Sequence, residues 1–118
     1  MKARTPSIAA RAIFRALSDQ TRLRILNLLC GGELCVCHLV AVLGVPQPTA
    51  SRHLAYLRRA GLVVARKEGL WSYYRLAPSR AKSYQMLLDC LAQCFREDSV
   101  FSEDDELLRL RIKSHRTE

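Results

Sequence analysis

Apolar positions along this chain fall at helical spacing, change once to a strand-like run, and then return to helical spacing. Ile8, Ala9, Ala12, Ile13, Ala16 and Leu17 space a helix of about three turns from Ser7. Ser18 and Asp19 form a helix-start signal. In the helix that follows, Leu23, Leu26 and Cys30 mark one face, widened by Ile25, Leu28 and Leu29 into the central core helix; Gly31 and Gly32 stop it. Glu33 to Gly44 reads as a third helix, with Leu39, Val42 and Leu43 facing inward. From Gln47 to Gly61, Ala50, Leu54 and Leu57 form a narrow apolar seam. Pro48, Thr49, Arg52, Tyr56 and Arg59 lie opposite, with Ser51 and Arg58 on one flank. The period then changes: LVVAR and WSYYRL are β-branched and aromatic, joined by Lys67, Glu68 and Gly69, a hairpin signal. Pro78 ends it. From Ser79, Tyr84, Leu87, Leu88, Leu91 and Phe95 space a further helix, richer in apolar positions than a small monomer needs. After Glu97 the chain reads as an acidic, irregular tail with a weak final helix in DDELLRLRIK.

A short helix, a Gly44–Pro46 turn and an amphipathic basic helix make a helix-turn-helix. A hairpin beside it reads as a wing, with Arg66 and Lys67 at its tip. The fold class is therefore mainly α with a small β-hairpin wing, a winged helix-turn-helix that dimerises through its first helix and the Ser79–Phe95 helix. The organisation is a disordered N-terminus over 1–6, one DNA-binding and dimerisation domain over 7–96, and a charged tail over 97–118.

Charge sharpens the picture. The 118 residues carry a net charge of +8. Residues 1–96 hold 15 Lys and Arg against 4 acids, and the tail holds 7 acids against 4 bases. A basic body fits a polyanion, and double-stranded DNA better than a membrane surface, since no long apolar run or amphipathic anchor is present. The N-terminus lacks the apolar core of a signal peptide. Five cysteines, an odd number, fit a reduced, cytoplasmic protein whose thiols are core filler or ligands.

With these elements in order, the chain resembles the ArsR/SmtB family of metal-responsive winged-helix repressors. ALSDQTRLRIL is similar to that family's second-helix signature. QPTASRHLAYLRRAGLV is similar to its recognition helix, RKEGLWSYYRL to its wing, and ELCVC to the thiol motif of its arsenic, antimony and cadmium/lead branches. The resemblance covers roughly residues 8–95. It implies a cytoplasmic homodimer that binds a near-palindromic operator and leaves it when metal binds, at genes for metalloid resistance including its own. The implied inducer is trivalent arsenic (arsenite) or antimony, with methylarsenite among the candidates, and no organic cofactor. Two departures stand out. His38 and Val40 occupy the positions where the arsenic branch has Asp and a third Cys. The helix from Ser79 to Phe95 has no His and one Asp, so the family's zinc site there has no counterpart.

The candidate ligands are Cys35, Cys37, Cys30, Cys90 and Cys94, because soft thiolates select thiophilic ions. On a regular third helix Cys35 points inward and Cys37 outward, about 200° apart. Chelation by both would then have to unwind that helix's first turn. Cys90 and Cys94, at i and i+4, share a face and form a second two-thiol clamp. Cys30 is nearest to Cys35 by chain.

The candidate DNA contacts are Gln47, Thr49, Ser51 and Arg52 for bases, where Gln can pair with adenine and Arg with guanine. His53, Tyr56, Arg58, Arg59, Arg66 and Lys67 are candidates for the backbone. A cadmium/lead sensor and a thiol-redox-sensing repressor of the same fold are the alternatives. A thiol oxidoreductase lacks the CxxC beside a βαβ unit that such enzymes use, so the chain reads as no enzyme.

Overall fold

A computed structural model describes residues 9–79 and 81–116; the N-terminal stretch over 1–6 and the start of the first helix lie outside the described residues. Helix α1 (Ala10–Leu17) buries Ile13 and Ala16 and leaves Phe14 60% exposed. Helix α2 (Gln20–Leu29) starts where Ser18 and Asp19 signal it. The Asp19 carboxylate accepts the Arg22 backbone N–H at 3.0 Å. Ile25, Leu26, Leu28 and Leu29 are buried, and α2 touches α1, α3, α4, α6 and the sheet. Each such Leu stabilises the fold by about 1.5–3 kcal/mol. The inward face is therefore the broad one. Leu23 is half-buried, and Cys30 is exposed at the helix end rather than part of the core face.

The third helix begins later than its apolar period indicates. Leu34 and Cys35 form a short strand, β1, and α3 runs Val36–Leu43. β1 lies antiparallel to the wing strand β3 (Trp71–Leu76), with Leu34 opposite Tyr74 and Cys35 opposite Tyr73. The reason is the sheet's inner edge, whose backbone donors and acceptors need partners. Extended residues supply them and a helical turn would not. Gly44, in the left-handed region at φ 70°, closes α3.

Helix α4 (Gln47–Arg59) buries the seam of Ala50, Leu54 and Leu57, as spaced. Its end is a Schellman closure. Gly61 N–H donates to Arg58 O at 3.0 Å and Leu62 N–H to Leu57 O at 2.9 Å, with both leucines fully buried. β2 (Val63–Glu68) and β3 pair from Val63–Leu76 to Glu68–Trp71, so the sheet order is β1-β3-β2. The turn is Gly69–Leu70, not Lys67–Gly69. Arg66 and Lys67 consequently sit on the β2 strand, and the tip carries Leu70, almost wholly exposed.

Helix α5 (Lys82–Arg96) begins after the Tyr84 hydroxyl has been secured to Ala77 O at 2.9 Å. It buries Tyr84 and Phe95 and leaves Met86 exposed. Beyond it the chain is not irregular. Helix α6 (Ser99–Arg116) is the longest described and packs on α2, α3 and α5. Phe101 is buried against Phe95, ring centroids 4.6 Å apart. Asp104, 3% exposed, takes two hydrogen bonds from Arg24 at 2.7 and 2.9 Å. The Asn27 amide donates to Phe101 O at 3.1 Å and to Asp105 at 3.0 Å. The acids that read as solvated tail are in part the bonds that hold α6 to α2.

Arg24→Met leaves the Asp104 carboxylate buried without its cation. The expected loss is about 2–4 kcal/mol in denaturant unfolding, toward the low side of a buried pair because Arg24 is partly exposed. The double variant Arg24→Met/Asp104→Leu is expected to recover most of it.

Candidate thiol site and nucleic-acid interface

Cys35 is the N-cap of α3, extended at φ −69° and ψ 145°. Its Sγ accepts the Cys37 backbone N–H at 3.3 Å, the interaction a Ser or Asp oxygen makes at other helix starts. The expected opposition of two helical thiols does not occur, because Cys35 precedes the helix. Burial pushes the Cys35 thiol up, and the neighbouring Cys37 thiol adds to this. Cys37 is half-buried and borders a cavity between α3, the turn of the wing and α4. His38, next in line, is held from the other side: Arg111 of α6 donates to its Nδ1 at 3.1 Å.

The remaining thiols lie elsewhere. Cys30 borders a cavity with Asn27, Phe95 and Asp105, toward α5 and α6. Cys90 and Cys94 are exposed on α5. Partial desolvation first, and then the adjacent Cys90 thiol, push the Cys94 thiol up. Among the described residues, no three His, Cys, Asp or Glu side chains gather as a metal-binding group. The structure thus arranges two thiol pairs, Cys35/Cys37 and Cys90/Cys94, with Cys30 apart from both.

On α4, Gln47, Ser51, Arg52, Arg58 and Arg59 are exposed and Thr49 is half-buried. His53 and Tyr56 are turned to the protein. The His53 Nδ1 lies 3.3 Å from Arg22 Nη1 and 3.7 Å from the Asp19 carboxylate. The Arg22 guanidinium stacks over Tyr56 at 4.1 Å. Arg22 also donates to Ala16 O at 2.7 Å and Arg15 O at 3.2 Å, satisfying carbonyls at the end of α1. It ties α1, α2 and α4 together, a role no periodicity marks because its partners are distant in sequence. In the wing, Arg66 is engaged by Glu33 at 2.8 Å and Glu68 at 2.9 Å, over the Tyr73 ring at 4.5 Å. Lys67 is exposed beside it. Among the described residues, no helix is long and apolar enough to cross a membrane.

Comparison with known proteins agrees with this architecture. The family model for bacterial regulatory proteins of the arsR family matches residues 19–64, from the α2 cap through α4 into β2. The arsenical resistance operon repressor of Escherichia coli K12 is 45% identical over 86 residues, 72% of this chain and 74% of that one. A homologue of the cadmium resistance regulatory protein CadC from Staphylococcus aureus is 42% identical over 71 residues, 59% of each chain. The homodimeric winged helix-turn-helix DNA-binding domain Mb0332 of Mycobacterium bovis matches with a TM-score of 0.61 at 36% identity, over 71% of this chain and 78% of that one. A helix-turn-helix with an exposed polar and basic α4, flanked by a three-stranded sheet and matched at this level, is a transcription regulator, and the chain belongs to the arsR family.

Proposed function

We propose that this chain is a metalloid-responsive repressor. It binds operator DNA as a homodimer in the cytoplasm and releases it when trivalent arsenic or antimony bonds to the Cys35 and Cys37 thiols. The observation that carries the reading is the place of Cys35. Its backbone pairs with Tyr73 of the wing and its sulfur caps α3, which packs directly on α4. The donor set suits the ligand: two adjacent thiols in a shielded setting favour thiophilic ions over hard cations. A bound trivalent metalloid supplies covalent, directional bonds to sulfur. Drawing both sulfurs to one centre takes Sγ of Cys35 away from the Cys37 N–H. The cap is lost, and the wing strand and the reading helix shift together. No helical turn has to unwind, because Cys35 lies outside the helix.

Gln47, Thr49, Ser51 and Arg52 face the bases in this reading, with Arg58, Arg59 and Lys67 on phosphates. His53, Tyr56 and Arg66 are engaged within the protein and act by holding α4 and the wing in place. Dimerisation through α1 and α5 is supported by exposed Phe14 and Met86 beside half-buried Leu87, Leu88 and Leu91. A cadmium-responsive reading has one observation in its favour, the similarity to the Staphylococcus aureus protein.

The test is release of an operator duplex, followed by fluorescence anisotropy under strong reductant and titrated with arsenite, antimonite and cadmium. Arsenite and antimonite are expected to weaken binding by about 5–150-fold, the range of a coupling of ~1–3 kcal/mol. Cys35→Ser/Cys37→Ser is expected to remain bound at all concentrations. If Cys90→Ser/Cys94→Ser alone abolishes release, the sensor is on α5 and this reading fails. If cadmium alone releases the duplex, the inducer is the other one.

On the DNA side, Arg52→Ala is expected to cost about 1–3 kcal/mol of specific binding and relax base preference. Arg58→Ala is expected to weaken all duplexes alike and lower the salt slope by roughly one unit. Gel-shift titrations at several salt concentrations separate the two.

A further inference from the structure

We propose that the Cys35/Cys37 pair is shaped for trivalent arsenicals that carry one carbon substituent, and that the substituent sits in the cavity beside Cys37. This rests on the reading of Cys35 and Cys37 as the sensing thiols. The cavity has a volume of about 440 Å³. Cys37 lines it together with Val36, Val40, Ala41, Leu70 and Trp71, a mainly apolar wall contributed by α3 and the wing turn. A closed apolar cavity of about 150 Å³ suffices for benzene, so a methyl or phenyl group fits with room to spare.

The chemistry selects the same class. A monosubstituted arsonous acid has one As–C bond and two As–OH groups. Two thiols attack, two As–S bonds form and two As–O bonds break. Each hydroxyl leaves as water with one thiol proton, and arsenic stays trivalent throughout. Both exchangeable positions are then used by the two sulfurs. Arsenite, with three hydroxyls, would keep one As–OH after the same exchange. Val40, one turn on from Cys37, offers it neither a thiol nor a hydrogen bond, and setting a hydroxyl against an apolar wall costs free energy that a carbon group does not. Gln47, the first residue of α4, and Ser72 of the wing also border the cavity. A substituent there touches both elements that meet DNA, so its size adds to the disturbance at the cap.

Operator release is compared for arsenite, methylarsonous acid and phenylarsonous acid, using the full chain under reductant. Each response is normalised to that reagent's affinity for the isolated peptide spanning residues 32–39, which removes intrinsic thiol reactivity. The organic arsenicals are expected to act at roughly tenfold lower normalised concentration than arsenite. Ala41→Leu, which narrows the cavity from an exposed position, is expected to abolish the preference for the phenyl compound and leave the arsenite response in place. Val40→Cys, which adds a third thiol, is expected to improve the response to arsenite selectively. Mass spectrometry of the complex is expected to show one retained substituent and the loss of two waters. Equal or greater normalised potency of arsenite in the wild type, or a phenyl preference untouched by Ala41→Leu, overturns the inference while leaving the thiol sensor intact. Release of Cys35→Ser/Cys37→Ser by all three reagents overturns both.

Discussion

The rest of the structure depends on how the inner edge of the wing is completed. A hairpin alone leaves one row of backbone donors and acceptors unpaired, and a two-stranded hairpin is marginal in water. Here Leu34 and Cys35 pair with Tyr74 and Tyr73 and make a third strand. That pairing sets where α3 can begin, places Cys35 at its cap, and brings the two thiols to the joint between wing and reading helix. A two-residue strand is weak enough to be disturbed by one covalent event. It is connected to elements that cannot move independently, since α3 packs on α4, on β3 and on α6.

The second organising feature is α6. Its hold on α2 comes from polar groups chosen to satisfy one another: Arg24 with Asp104, Asn27 with Asp105 and a carbonyl. Phe101 supplies the apolar part against Phe95. Near its other end Arg111 holds His38, immediately after Cys37. The thiol joint is therefore gripped on one side by the wing and on the other by the last helix. Motion at the cap has α4 as its remaining outlet.

How much of this was legible in the sequence depends on whether the signal was local. The α2 cap, the Ala50–Leu54–Leu57 seam, the Gly44 and Gly61 closures and the hairpin all follow from residue types at short spacing, and all are present. The start of α3 was not legible. ELCVCHLV keeps a helical apolar period through Leu34 and Cys35, and the sheet edge that overrides it is far away in the chain. The hairpin turn moved by two residues because Glu68 pairs with Trp71 and lengthens both strands, which also takes Arg66 and Lys67 off the tip. The tail misled for a related reason. DDELLRLRIK reads as a solvated acidic stretch until Arg24 and Asn27 are known to face it. In the candidate site, ELCVC marked the thiols correctly as a neighbouring pair, but the cap geometry and the cavity beside Cys37 exist only once the wing turn has folded over α3. Arg22 was invisible for the same reason: its carbonyl, His53 and Tyr56 partners come from three elements.

The central claim is that a ligand on Cys35 and Cys37 breaks the cap of α3 and loosens its strand from the wing. Amide hydrogen exchange, resolved by NMR on the full chain with and without methylarsonous acid, reads this directly. The account predicts faster exchange at the Cys37 amide and at the β1–β3 pairs around Leu34 and Tyr73, with the interior of α2 unchanged. Unchanged protection at Cys37 and in β1, with altered exchange confined to α5 around Cys90 and Cys94, would contradict it.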